Sequence, residues 1–164
     1  MDSMKRLLPL FVAPIAALLL LAGPTTQEAQ AQTAFGGQGS WGSEADFGVG
    51  ARALVNIPNV NLEFVGSAEV FFPDGDVDWF DFNANVFYHF HLPDAPSLMP
   101  YLGGGLNVAR ISNAASTTEA GLNLGGGIRF PGATVTPFIE GRGVISDLDQ
   151  FVVTVGLLFG PTRF

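Results

Sequence analysis

The sequence predicts an all-β fold of eight antiparallel strands in up-and-down order, following a short leader. Three observations carry that prediction. After residue 32 the apolar period is two rather than 3.6, and Gly and Pro punctuate the pattern at nearly regular intervals. Hairpins built on the turn signals sort apolar residues to one face and polar residues to the other. The chain has no cysteine, so nothing suggests a disulfide framework or a thiolate metal site.

The leader comes first. Lys5 and Arg6 precede an apolar run from Leu7 to Leu21, and a polar stretch then ends in Ala29-Gln30-Ala31. This is the layout of a secretory signal peptide, so residues 1–31 are assigned to it and residues 32–164 to one domain. A membrane anchor helix fits less well, because the run carries Pro9 and Pro14 and is shorter than the ~20 residues a spanning helix needs.

The strands follow in order: Ala34 to Trp41, Ala45 to Val55, Val60 to Phe72, Asp78 to Leu92, Tyr101 to Arg110, Glu119 to Phe130, Val135 to Ile145, and Phe151 to about Phe159. A turn centred on Gly75 sets Val70 by Phe80, Ala68 by Phe82 and Leu62 by Tyr88, with Glu69 by Asp81 and Ser67 by Asn83 on the other face. A turn at Ile57-Pro58 sets Ala53 by Leu62 and Arg52 by Glu63. The last hairpin sets Ile145 by Phe151 and Gly143 by Val153. Gly160 and Pro161 interrupt the C-terminal strand, which therefore either ends near Phe159 or carries a bulge.

One apolar and one polar face suit either a soluble sandwich or a membrane barrel. Four features favour the barrel. The polar face is rich in small and amide residues with isolated charges, among them Gly103, Gly105, Asn107, Asn123, Arg129, Glu140 and Arg142. The apolar face carries Trp41, Phe72, Phe80, Phe90, Phe130 and Phe159 near strand ends, where interfacial girdles belong. The strands reach the ~9–11 residues of a tilted membrane strand. Beyond residue 31 there is no lysine, while five of seven basic and 13 of 15 acidic residues remain. An acidic chain without a basic cluster also argues against nucleic-acid binding.

With the leader, the eight strands, the segment "PYLGGGLNVA" (Pro100 to Ala109) and the terminal Phe164, the chain resembles the small outer-membrane β-barrels of the OmpA/OmpX type. The resemblance implies a transmembrane β-barrel in the bacterial outer membrane of a Gram-negative organism. It also implies recognition by the barrel-insertion machinery and contact with outer-membrane lipid and lipopolysaccharide. The C-terminus of such barrels is periplasmic. That places the loops at 42–44, 73–77, 111–118 and 146–150 outside and the turns near Pro58, Pro93 to Pro100 and Pro131 to Thr134 inside. The short outer loops suit a structural or interaction role better than a large receptor. A narrow pore and a secreted soluble barrel holding an apolar ligand are the alternatives.

Candidate sites lie on the polar face. The registers above bring Asp46, Glu69 and Asp81 together at the outer mouth, beside the acids of "DGDVD". They form either an ion-pair network reached by Arg142 or a Ca²⁺ or Mg²⁺ site. Arg52 with Glu63, and Arg129 with Glu140, are expected as interior ion pairs. His89 and His91 are expected to point inward, as satisfied interior histidines rather than metal ligands. Ser67 lies six residues from His89 along the hairpin, ~20 Å away, so no nucleophile finds a base and no catalysis or cofactor is expected.

Overall fold

The computed structural model describes residues 32–57, 60–75, 77–112, 116–132 and 134–162. The expected signal peptide and Phe164 lie outside them. Eight strands run β1 (Gln32–Gly42), β2 (Asp46–Ile57), β3 (Leu62–Phe71), β4 (Asp78–His89), β5 (Met99–Ser112), β6 (Ser116–Arg129), β7 (Val135–Ile145) and β8 (Gln150–Phe159). Each pairs antiparallel with its sequence neighbour, and β1 pairs with β8 to close the barrel. Closure leaves no unpaired sheet edge. Both described chain ends lie at one end of the barrel, the terminal end; the β1–β2, β3–β4, β5–β6 and β7–β8 loops lie at the other, the distal end.

Alternation sets what each strand shows. Large apolar side chains such as Leu106, Leu122, Leu124, Val155 and Leu157 are exposed on the outside, whereas arginines, carboxylates and amides are buried in the lumen. The six aromatics expected as girdles are all exposed, joined by Phe35, Phe47, Phe64, Tyr88 and Phe151.

The β3–β4 register is the expected one, with Val70 opposite Phe80 and Leu62 opposite Tyr88. Two others differ by an even number of residues. In β2–β3, Ala53 faces Gly66 and Arg52 faces Ser67, a shift of four. In β7–β8, Gly143 faces Phe151, a shift of two. An even shift keeps every side chain on its own face, so face-sorting cannot detect it; turn geometry decides. The β2–β3 turn extends to Asn61, whose φ of 53° lies in the left-handed region. In the β7–β8 loop Ser146 Oγ donates to Leu148 O at 2.8 Å, and Ser146 N donates to Asp149 Oδ1 at 3.0 Å.

The glycines of "LGGGL" serve close approach. A Cβ on Gly103 or Gly105 would stand 2.0 Å from the carbonyl oxygen of Val86 or Ala84, so β4 and β5 coil tightly there and the lumen gains room for Phe87 and Asn85. The last strand ends at Phe159. Gly160, with φ 115°, turns the chain, and Thr162 tucks under the barrel with its hydroxyl 2.7 Å from that of Thr136.

Candidate functional site: the layered lumen

Read upward from the terminal end, the inward residues form four layers. The floor is polar, with Asn56, Glu63, His89, Arg129 and Thr136. Above it lies an apolar layer of Ala34, Leu54, Val65, Phe87, Tyr101, Phe138 and Leu158. The middle is polar again. An upper apolar layer of Ala45, Phe71, Trp79, Val144 and Val152 covers it, with Ile111 and Leu148 packed against that layer. Every strand contributes to this order because its inward residues recur with period two.

In the floor, the Arg129 guanidinium donates both Nη groups to the two oxygens of Glu63. His89 Nε2 lies 3.6 Å from Glu63 Oε1, and Arg129 stacks over the Tyr101 ring at 5.1 Å. In the middle layer Arg52 donates to Glu140 through both Nη atoms, at 3.0 and 3.1 Å, and through Nε to Gln38 Oε1 at 2.6 Å. Its guanidinium rests 4.2 Å from the Phe138 ring centre, and the Tyr101 hydroxyl donates to Glu140 at 3.0 Å. Glu69 accepts from Arg142 at 2.9 Å, from Asn83 at 3.2 Å and from the Ser40 hydroxyl. Asp81 accepts from the Trp79 indole at 2.8 Å and from Asn107 at 3.2 Å. Asn123 donates to Asn83 Oδ1 and to Asn85 Oδ1, each at 2.9 Å.

These contacts correct the expected partners. Arg52 does not meet Glu63, and Arg129 does not meet Glu140. The four-residue shift in β2–β3 carries Arg52 ~13 Å along the strand from Glu63, and each arginine reaches across the lumen to a strand three positions away. The same shift dismantles the acidic triad. Gly50, not Asp46, lies beside Glu69, and Asp46 is exposed at the distal rim with φ 56°. Glu69 and Asp81 remain strand partners, but among the described residues no three acidic or histidine side chains are placed to hold a metal ion. His91 lies past the end of β4 and is exposed, so only His89 of the expected pair is interior.

The geometry is thus a closed eight-stranded barrel with a hydrocarbon-like exterior and a hydrogen-bonded, charged interior. No protein-family model and no curated protein matches the chain. Solved structures do. The N-terminal β-barrel domain of Pseudomonas aeruginosa OprF superposes with a TM-score of 0.69 at 16% identity, covering 82% of this chain and 100% of that one. Neisserial surface protein A gives 0.60 at 17% identity, covering 81% and 99%. Ail, the attachment invasion locus protein of Yersinia pestis, gives 0.52 at 20% identity, covering 82% and 98%. The fold is that of the small outer-membrane β-barrels. At these identities the likeness is one of architecture.

Two features of this outer-membrane-type barrel escaped sequence reasoning. The first is the pair of apolar layers in the lumen. Their signal was present, because Phe87 stands in the inward register between Asn85 and His89, and Trp79 likewise precedes Asp81. The second is the hold of Ser40, from β1, on Glu69; the Arg142 contact to the same carboxylate, from β7, is the one the sequence led us to expect. A hydroxyl on a strand two positions from Glu69 leaves no trace in hairpin arithmetic.

Proposed function

We propose that the chain is an integral protein of the bacterial outer membrane, with a structural role in the envelope and no catalytic one. One observation carries this reading. Large apolar side chains cover the exterior, while Arg52, Arg129 and Arg142 are each almost wholly buried in the lumen with a carboxylate partner. A protein in water gains nothing from that inversion, whereas a barrel in lipid requires it. The distal end then faces outward. Eight strands enclose room for side chains rather than a channel, and the two apolar layers favour a plugged interior over the narrow-pore alternative. Short distal loops suit contact with neighbouring lipids and lipopolysaccharide better than capture of a large ligand.

The test is fractionation of expressing cells with sodium carbonate, followed by gel electrophoresis of heated and unheated samples. The protein is expected in the carbonate-resistant pellet, with a band that migrates faster unheated than boiled. Release into the supernatant would overturn the reading in favour of a secreted barrel. Reconstitution in planar bilayers is expected to give no discrete conductance steps.

A further inference from the structure

Among the described residues four arginines occur, and three are the buried, paired ones of the lumen. Arg110 is the fourth. It stands outside, between inward-facing Ala109 and Ile111, and takes part in none of the ion pairs among the described residues. Its height is fixed by β5. From Leu102 through Gly104, Leu106 and Val108 the outward residues are apolar, and Arg110 follows. Eight residues at ~3.3 Å, on a strand tilted by ~40°, rise roughly 20 Å, close to the ~25 Å apolar band of such barrels. Arg110 therefore stands where hydrocarbon gives way to headgroups.

Three hydroxyls near it can add donors to an anion. Phe80, an exposed girdle aromatic, is its strand partner on β4, and the exposed Thr118 is its partner on β6. One step further out, the Ser112 and Ser116 hydroxyls lie 3.1 Å apart, with Asp78 beside Ser112. Asp78 is itself exposed and opposes an anion at Ser112, as Glu44, Asp46, Asp74, Asp147 and Asp149 do elsewhere on the distal rim, so Arg110 and Thr118 are the donors least crowded by carboxylates. A guanidinium offers a planar fork matched to phosphate oxygens, and hydroxyls add donors.

We propose that Arg110, with Thr118, Ser112 and Ser116, binds the phosphate of an anionic lipid headgroup in the outer leaflet. This rests on the outer-membrane reading, so the full chain is first purified from membranes in detergent and its heat-dependent gel shift confirmed; absence of the shift fails that reading, not this one. Binding of diphosphorylated lipid A is then measured by native mass spectrometry with chelator present, which removes metal bridging to the acidic rim. Wild type is expected to retain diphosphorylated lipid A about tenfold more strongly than its dephosphorylated form, and Arg110→Gln to lose about that factor. Arg110→Lys is expected to fall between, and Thr118→Val to weaken binding less. Should either Arg110 variant lose its gel shift, the Thr118 variant and the phosphate comparison in wild type carry the test. Equal retention of the two lipids, or by wild type and a gel-shifting Arg110→Gln, overturns the proposal. So does complete displacement by millimolar inorganic phosphate, which would make the ligand a free anion.

Discussion

The floor and the middle layer of the lumen both bury arginine–carboxylate pairs, yet they are held differently. In the floor, Glu63 depends on Arg129, with His89 alongside, and the apolar layer above separates the floor from the polar groups of the middle. In the middle, Glu69 keeps Ser40 and Asn83 even without Arg142, and Glu140 keeps Tyr101 without Arg52. Losing one partner of a buried pair leaves an uncompensated charge. How much that costs depends on how many hydrogen bonds remain to it. The same pair chemistry should therefore be brittle at one level and tolerant at the next.

The sharpest break is Glu63→Ala, which strands Arg129. It is expected to lower unfolding stability in lipid vesicles by about 3–5 kcal/mol, read from urea titration of the heat-modifiable band. Combining it with Arg129→Met should recover most of that loss; a double variant as weak as the single one would mean that the pair's charge was not the cause. Next in size, Arg142→Met is expected to cost about 1–3 kcal/mol, because two hydrogen bonds to Glu69 survive. A loss equal to that of Glu63→Ala would erase the distinction between the layers. The smallest effect is expected for Asp81→Asn, which has no arginine partner to strand. Its amide oxygen can still accept from the Trp79 indole, while its amide nitrogen faces the Asn107 amide, which keeps Asn83 Oδ1 as its other acceptor, so the loss is expected at about 1 kcal/mol.

The comparison also marks what the sequence could reveal. Faces and strand count were readable because period two repeats in every strand, and the Gly75 turn pinned its hairpin to the residue. The partners of Arg52 and Arg129 were not readable. They come from strands facing one another across the lumen, and an even register shift moves a side chain along the axis without changing its face. Asp46 shows the same limit: face-sorting sets it beside Glu69, and four residues of slip carry it along the axis to the rim. Phe87 and Trp79 were legible as inward residues; what was hidden was that their counterparts on other strands fall at the same heights and make layers. The segment before Gln32 lies outside the described residues.

The seam between β1 and β8 joins Phe35–Gly42 to Val152–Phe159, almost the first and last parts of the described chain. Until those eight residue pairs meet, two rows of backbone amides and carbonyls have no partner, and in hydrocarbon each lone group costs several kcal/mol. A nascent product that stops before residue 150 therefore has no low-energy resting place in a bilayer. On the outer-membrane reading, entry into the lipid and completion of the ring become one event, timed by the arrival of β8.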